Sequence, residues 1–377
     1  MIGGGKDAFI GAVHRIALRM DDKYSLICGA FSSNPEKSKK SGEMLGIASE
    51  RVYGSYQELF EKESALPENE RMEVVSIVTP NHLHFEPAKI ALLHGFHVIL
   101  DKPITFSLAE AKELKEILKQ TGKQLMLTHT YTGYPMVKEA KHLLSTGILG
   151  KIRKIYVEYP QGWLSKDLEN EDNKQATWRT DPAKSGIAGA MGDIGTHAFN
   201  LAEYVSGLQT TKLCADINTV VENRRLEDDG AVLLKYTNGA SGVLMATQIA
   251  AGEENNVKIR VYGEKGGLIW QQEDANSLQV KLLDQPMQIY RTGAPYISSI
   301  ANHHTRTPSG HPEGYLEAFA NLYRNFALYL KASAEERKAN KAIADFPGID
   351  DGIRGMAFIE NVIKSGKSDE KWTEFRV

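Results

Sequence analysis

Met1-Ile2-Gly3-Gly4-Gly5-Lys6-Asp7-Ala8 opens the chain and runs straight into residues 9–19, whose apolar positions have helical spacing. Gly3, Gly5 and Ala8 fit the pattern G-x-G-x-x-A. In such a strand-to-helix turn the first glycine makes the bend and the second lets backbone approach a pyrophosphate. The small third residue packs helix on strand. A glycine triplet at a chain start is equally compatible with a plain terminal segment, so the residues that follow decide the matter. Between 24 and about 128, short apolar runs at 24–31, 74–79, 97–100 and 124–127 read as strands. Amphipathic stretches at 35–45, 57–62, 85–94 and 108–120 alternate with them and read as helices. Parallel strands need such crossovers, and right-handed crossovers wind helices onto both faces of the sheet. The predicted fold of this half is a Rossmann-type doubly wound parallel sheet. Its first strand is reduced to Met1 and Ile2, so either the native start lies upstream or the sheet tolerates a short first strand.

The rhythm changes after about Tyr131. A helix is predicted over 135–145, ended by Gly147, then strands at 152–159, 211–221, 230–237, 242–249, 257–262, 267–271 and 278–283. Lys258-Ile259-Arg260-Val261-Tyr262 alternates polar with apolar, and Asn238-Gly239 signals a hairpin. This half reads as a mostly antiparallel, open-faced sheet with helices on one face, followed by helices over 314–331 and 349–364. The expected domains are 1–128, for a dinucleotide, and 129–377, for substrate and oligomerisation, with helix 349–364 free to pack back on the first.

The 377 residues, 42% hydrophobic and 25% charged, describe an ordinary folded protein. With 45 basic and 48 acidic residues the net charge is −3, which gives no field to attract nucleic acid or anionic lipid. Two cysteines, Cys28 and Cys214, offer neither a disulfide framework nor a thiolate metal site. No apolar run is long enough to span a membrane and no signal-peptide layout opens the chain, so a reducing cytoplasm is expected. His303, His304 and His311 lack a spaced acidic or cysteine partner, and no metal is expected there.

Candidate chemistry sits at the ends of the predicted elements. Where an acidic residue would bind both ribose hydroxyls and repel a 2′-phosphate, the second strand ends in Ser32 and Ser33, with Lys37 nearby. That leaves NAD and NADP both open, and an ordinary loop with an N-cap before Pro35 reads the same. Asp101-Lys102-Pro103 follows the apolar run 96–100. Asp193 and His197 stand four apart at the start of an apolar helical run, on one helix face. An acid, an imidazole and an amine of this kind suit proton removal from an alcohol, and the histidine's ordinary pKa of about 6.5 makes it the candidate base. His129 and Tyr131, in 128–135, and Tyr159, Trp163, Trp178 and Arg179 offer the aromatic faces and polar donors that suit a sugar ring. The polar loop 165–175 is a lid or a variable surface loop.

With Gly3 to Ala8, Thr79-Pro80-Asn81-His82-Leu83-His84, Asp101-Lys102-Pro103 and Gly192-Asp193-Ile194-Gly195-Thr196-His197 in this order, the chain resembles the Gfo/Idh/MocA family over essentially its whole length. The resemblance implies an NAD(P)-dependent oxidoreductase moving a hydride between nicotinamide and a secondary alcohol or ketone of a sugar, sugar derivative or inositol. It leaves a non-catalytic dinucleotide sensor or corepressor, and cofactor-assisted glycoside cleavage, as alternatives. It makes Lys102, Asp193 and His197 catalytic: Lys102 matches the lysine of a Glu-Lys-Pro motif, with Asp101 in place of glutamate, and Pro103 is expected to follow a cis peptide. Asn200 replaces a second aspartate. Gly3, Gly5, Ala8, Phe9, Ser32, Ser33, Lys37, Thr79, Pro80, Asn81, His84, Asp101 and Lys102 would hold the cofactor. Lys102, His129, Tyr131, Tyr159, Trp163, Trp178, Arg179, Asp193 and His197 would face the substrate. A homo-oligomer, dimer or tetramer, is implied through the apolar strand faces.

Overall fold

The computed structural model describes residues 1–6, 8–171 and 173–377. Asp7, a variable position of the glycine motif, and Asp172, in the polar loop, lie outside the described residues. Two compact units emerge: Met1–His129 with Phe319–Ile353, and Thr130–Ala318 with Arg354–Val377.

In the first unit, β1 (Ile2–Gly3), β2 (Val74–Val78), β3 (His97–Leu100) and β4 (Leu125–Leu127) form a parallel sheet in that order. Val75, Ile77, Val98, Ile99, Leu100 and Met126 are almost wholly buried, as strands covered on both faces must be. The intervening helices are α1 (Phe9–Met20), α2 (Pro35–Met44), α3 (Tyr56–Ser64), α4 (Phe85–Leu93) and α5 (Leu108–Thr121). Their ends follow local chemistry: Asn34 and Ser55 cap α2 and α3, Ser107 and Glu110 form a capping box on α5, and left-handed Gly122 closes α5.

The strand predicted over 24–31 does not form. Only Gly29 and Ala30 make bridges, to Val52 and Ile2. The cause is the short β1, which pairs through Ile2↔Ile77 and Gly3↔Val78 and then turns away at Gly3, φ +75°. A neighbour with so little edge to bind cannot build a ladder. The Met1 ammonium donates to the Cys28 carbonyl at 2.9 Å instead.

The second unit begins with α6 (Pro135–Ser145), followed by β5 (Ile152–Pro160), two short helices α7 (Lys174–Arg179) and α8 (Pro182–Ser185), and α9 (Thr196–Ser206). Then come β6 (Thr210–Asn218), β7 (Asp229–Tyr236), β8 (Ser241–Thr247), β9 (Lys258–Gly263), β10 (Gly266–Gln271), β11 (Ser277–Leu282) and β12 (Gln288–Arg291). After α10 (Ser299–His303) come α11 (Tyr315–Ala334), which from Phe319 onward belongs to the first unit, and α12 (Ile349–Gly366), which belongs to the second from Arg354; β13 (Thr373–Glu374) ends the series. The sheet order is β12-β11-β10-β9-β5-β8-β7-β6-β13, antiparallel throughout except for β5 beside β8. Along β7 the inward residues Gly230, Val232, Leu234 and Tyr236 alternate with outward ones, and Asn238-Gly239 turns β7 into β8 with Gly239 at φ +86°. Helix α9 packs on β5 and β8, and α6 on β10 and β11, so one face is covered. The edge strands β12 and β13 are too short to show a pattern in sequence. No helix among the described residues is long and apolar enough to cross a membrane.

Candidate active site

The first unit gathers its candidates at the carboxyl ends of the parallel strands. Gly3 and Gly4 both take positive φ, +75° and +68°, which L side chains rarely adopt. The Gly5 N–H donates to the Phe31 carbonyl at 3.2 Å. Besides Ala8, the small residue of the motif, a glycine inside the helix lets helix and turn meet: a Cβ on Gly11 in α1 would lie 2.3 Å from the Gly4 Cα. Ala8 is the N-cap of α1 and Phe9 points largely into solvent, 67% exposed. Ser32 accepts the Asn34 N–H at 3.2 Å and Asn34 accepts the Lys37 N–H at 3.0 Å, so Ser32, Ser33 and Lys37 belong to the capping turn of α2.

Two loops beyond β2 and β3 are stapled by His84, whose Nε2 lies 2.8 Å from the Thr79 carbonyl and whose Nδ1 lies 2.7 Å from that of Pro103. Pro80 and buried Asn81 lie between Thr79 and His84, and burial lowers the His84 pKa. The Lys102–Pro103 peptide is cis. Asp101 Oδ1 accepts the Thr128 hydroxyl at 2.6 Å and the Lys102 N–H at 3.0 Å, which fixes the backbone from which Lys102 projects. Behind it stands a cluster the sequence reading missed. His14 Nε2 is 4.0 Å from Asp101 Oδ1, its Nδ1 is 2.6 Å from the Tyr323 hydroxyl, and that hydroxyl is 3.0 Å from Ser76 Oγ. Burial, against the pull of Asp101, lowers His14 to about 4. His129 is also fully buried, and burial followed by the Lys102 charge brings it to about 3, which favours the neutral ring.

In the second unit Asp193 lies on a single π-helical turn, Met191–Gly195, that feeds α9 and His197. The expected plain α-helical face is therefore replaced by a wider turn between the two residues, a feature often found at functional sites. Asp193 Oδ2 accepts from Gln248 Nε2 at 2.9 Å and lies 3.3 Å from Arg179 Nε. The Arg179 guanidinium sits 4.4 Å from the Trp178 ring centre and 5.9 Å from that of Trp163. His197 meets Tyr131 edge-on at 5.0 Å and Tyr159 at 6.3 Å between ring centres. The Tyr131 and Tyr159 hydroxyls bond each other, and Asn255 bonds both. Burial raises both phenols, Tyr131 to about 12, so they serve as neutral hydrogen-bonding groups. Thus Tyr131, Tyr159, Trp163, Trp178, Arg179, Asp193 and His197 all join one wall.

Gln161, Gln248 and Asn255 complete that wall and were not anticipated. Gln161 accepts from Trp163 Nε1 at 3.0 Å and from Gln248 at 3.4 Å. Because β5 and β8 are parallel with Pro160 opposite Thr247, Gln161 and Gln248 leave the sheet side by side. Only that pairing, invisible in an alternation pattern, would have revealed them. The loop after Trp163 is tied down: buried Arg224 bonds Glu169 at 2.8 and 2.9 Å, Asp228 at 3.1 Å and the carbonyls of Leu164 and Lys166. The histidine pair near 303 is local, with His304 Nδ1 on the Ile300 carbonyl at 2.7 Å.

Known proteins match this architecture in both halves. Residues 1–129 match the model of an oxidoreductase family with an NAD-binding Rossmann fold, and residues 137–269 match the GFO/IDH/MocA C-terminal domain. The uncharacterized oxidoreductase YfiI of Bacillus subtilis is 34% identical, over 100% of this chain and 96% of that protein. The chain belongs to the Gfo/Idh/MocA oxidoreductase family. Levoglucosan dehydrogenase of Pseudarthrobacter phenanthrenivorans is 27% identical over 99% of this chain and 97% of its own. The crystal structure of an inositol dehydrogenase homolog complexed with NAD+ from Azotobacter vinelandii shares the fold with a TM-score of 0.94 and 33% identity, covering 100% and 96% of the two chains.

This Gfo/Idh/MocA member is an NAD-dependent oxidoreductase. Its glycine turn fits the cofactor. A Cβ on Gly5 would meet the Phe31 carbonyl at 2.8 Å and one on Gly4 would meet Val78 at 2.7 Å, so the turn is built for bare backbone.

Proposed function

We propose that this enzyme oxidises a secondary hydroxyl of an uncharged cyclic polyol, a sugar, sugar derivative or inositol, or reduces the matching ketone, with Lys102, Asp193 and His197 as its catalytic residues. The observation that carries this reading is the wall around Asp193 and His197, in which phenols, amides and indoles are hydrogen-bonded to one another. Aromatic faces suit ring C–H bonds and the polar rims suit hydroxyls. The Arg179 guanidinium already engages Asp193, which favours hydroxyls over a carboxylate or phosphate as its companions. The names of the levoglucosan and inositol relatives point to the same substrate class.

The bound nicotinamide supplies the hydride acceptor. Gly3, Gly4, Gly5, Gly11 and the loops at Thr79–His84 and Asp101–Lys102 would hold the dinucleotide, with Ser32, Ser33 and Lys37 flanking its adenosine ribose. His197 takes the hydroxyl proton as general base. The Lys102 ammonium stabilises the charge that develops on the oxygen. Asp193, held by Gln248 and Arg179, orients the hydroxyls. A purely sensing protein needs no proton acceptor. Turnover of myo-inositol, glucose or levoglucosan with NAD+, lost in His197→Ala while NADH binding persists, supports catalysis. NADH binding without turnover of any polyol would favour the sensor.

Two further properties go with this reading. The free cysteines Cys28 and Cys214 suit a reducing cytoplasm. Outward Leu233 on β7, 45% exposed, and Ile289 on β12, 48% exposed, suit burial against a second copy, and sedimentation velocity should report a dimer or tetramer.

A further inference from the structure

We propose that Glu227 is a positioning residue of the reaction, clamping the entry to the helical turn that carries Asp193 and His197. The inference rests on the reading that these two residues perform the proton chemistry. Three consecutive amides converge on Glu227. Its Oε1 accepts the N–H groups of Gly189 at 2.8 Å and Met191 at 3.0 Å, and its own carbonyl accepts the Ala190 N–H at 2.9 Å. The turn then closes on this clamp, because the Asp193 N–H donates to the Gly189 carbonyl at 2.8 Å. The approach is tight enough that a Cβ on Gly189 would lie 2.1 Å from the Glu227 oxygen.

The neighbouring residue works toward the same end by another route. The Asp228 carbonyl accepts the Gln248 N–H at 2.9 Å, and the Gln248 side chain donates to Asp193 Oδ2. Asp228 is itself held by Arg224 at 3.1 Å and by the N–H groups of Val220 and Val221 at 2.9 and 3.0 Å. One corner of the chain therefore sets both the backbone under Asp193 and the partner of its carboxylate. Glu227 is 7% exposed, and burial pushes its carboxyl up to about 7, with Asp228 adding to the rise and the two N–H donors opposing it. Among the described residues the Glu227 carboxyl is hydrogen-bonded to backbone N–H groups of the segment leading to Asp193, and the role proposed for it is therefore geometric.

The test compares wild type with Glu227→Gln, Glu227→Asp, Glu227→Ala and His197→Ala, using NAD+ with myo-inositol, glucose and levoglucosan, with thermal melts to confirm folding. In Glu227→Ala, kcat is expected to fall about 10- to 100-fold, the scale of a small misplacement of reacting groups, with KM and NADH affinity little changed. Glu227→Gln keeps an acceptor oxygen at full length and is expected to recover most of kcat, whereas Glu227→Asp, one methylene short, is not. If Glu227→Ala does not fold, the contrast between Gln and Asp decides. Folded Ala or Asp variants with kcat within about twofold of wild type, or with a raised KM alone, would overturn the positioning role. His197→Ala with normal turnover, or no turnover of any polyol by wild type, would overturn the underlying reading instead.

Discussion

Asp193 Oδ2 receives Gln248 and Arg179 together, and His197 packs beside two phenols whose protons burial retains. His197 is the proposed proton acceptor. His197→Ala is expected to lower kcat by about 10²- to 10⁴-fold with NADH affinity unchanged, read by steady-state kinetics and by fluorescence titration. Lys102→Ala is expected to cost about 10²- to 10³-fold in kcat, again with little effect on NADH binding. A loss of NADH binding in that variant would recast Lys102 as a cofactor ligand. The residues behind both effects were unevenly legible. Asp193, His197 and Lys102 announce themselves by type and spacing, and the aromatic residues by their cluster. Gln161, Gln248 and Asn255 carry no such signal, since single amides at strand ends look like any surface residue until pairing brings them together.

At the scale of elements, the turn between β1 and α1 shows where pattern reading succeeds and where it slips. The triplet Gly3-Gly4-Gly5 was legible as a dinucleotide turn, yet the close approach is made three residues beyond Ala8, at Gly11. The helix begins at Phe9 as expected, so the contact falls inside α1, beyond the positions that the pattern names. Gly11→Ala is expected to destabilise the protein by about 1–3 kcal/mol, because its Cβ would lie 2.3 Å from the Gly4 Cα, and to weaken NADH binding; urea melts and titration check both. The unformed strand at 24–31 has a different origin: its apolar residues are right for a strand, but a two-residue β1 supplies edge enough only for the single bridge Ile2↔Ala30. In the second unit the Asn238-Gly239 hairpin and the alternation of β7 and β9 were legible because one covered face imposes period two. The π-turn at Asp193 was not, since an inserted residue leaves the apolar rhythm almost unchanged. Arg224, buried with Glu169 and Asp228, staples the loop after Trp163 to the corner below Asp193. Arg224→Ala leaves two carboxylates unpaired and is expected to cost about 3–5 kcal/mol in a urea melt.

Across the whole molecule, the buried histidines set a pH response. His14 falls from the ordinary 6.5 to about 4 and His129 to about 3, both through burial first. Below pH 6.5 the unfolded chain binds protons at these positions and the folded chain does not. The histidine contribution is therefore complete above 6.5 and is lost as pH falls toward 4 for His14 and 3 for His129, by up to about 1.4 kcal/mol per pH unit each, while Glu227, raised to about 7, acts in the opposite sense between its ordinary carboxylate range and 7. A series of urea melts between neutral and acidic pH should show this slope, and His14→Gln should reduce it. The fold class and the family were legible over the full length because glycine turn, crossover rhythm, lysine motif and acid–histidine pair occur in one order, and no single one of them would have sufficed. The proposed reaction is oxidation of a polyol with His197 as the proton acceptor. The most direct test follows NADH formation by wild type and His197→Ala from NAD+ and a panel of myo-inositol, glucose and levoglucosan. The account predicts NADH formation by wild type with at least one of these and its near-complete loss in a variant that still binds NADH; equal rates in both proteins, or none in wild type, would contradict it.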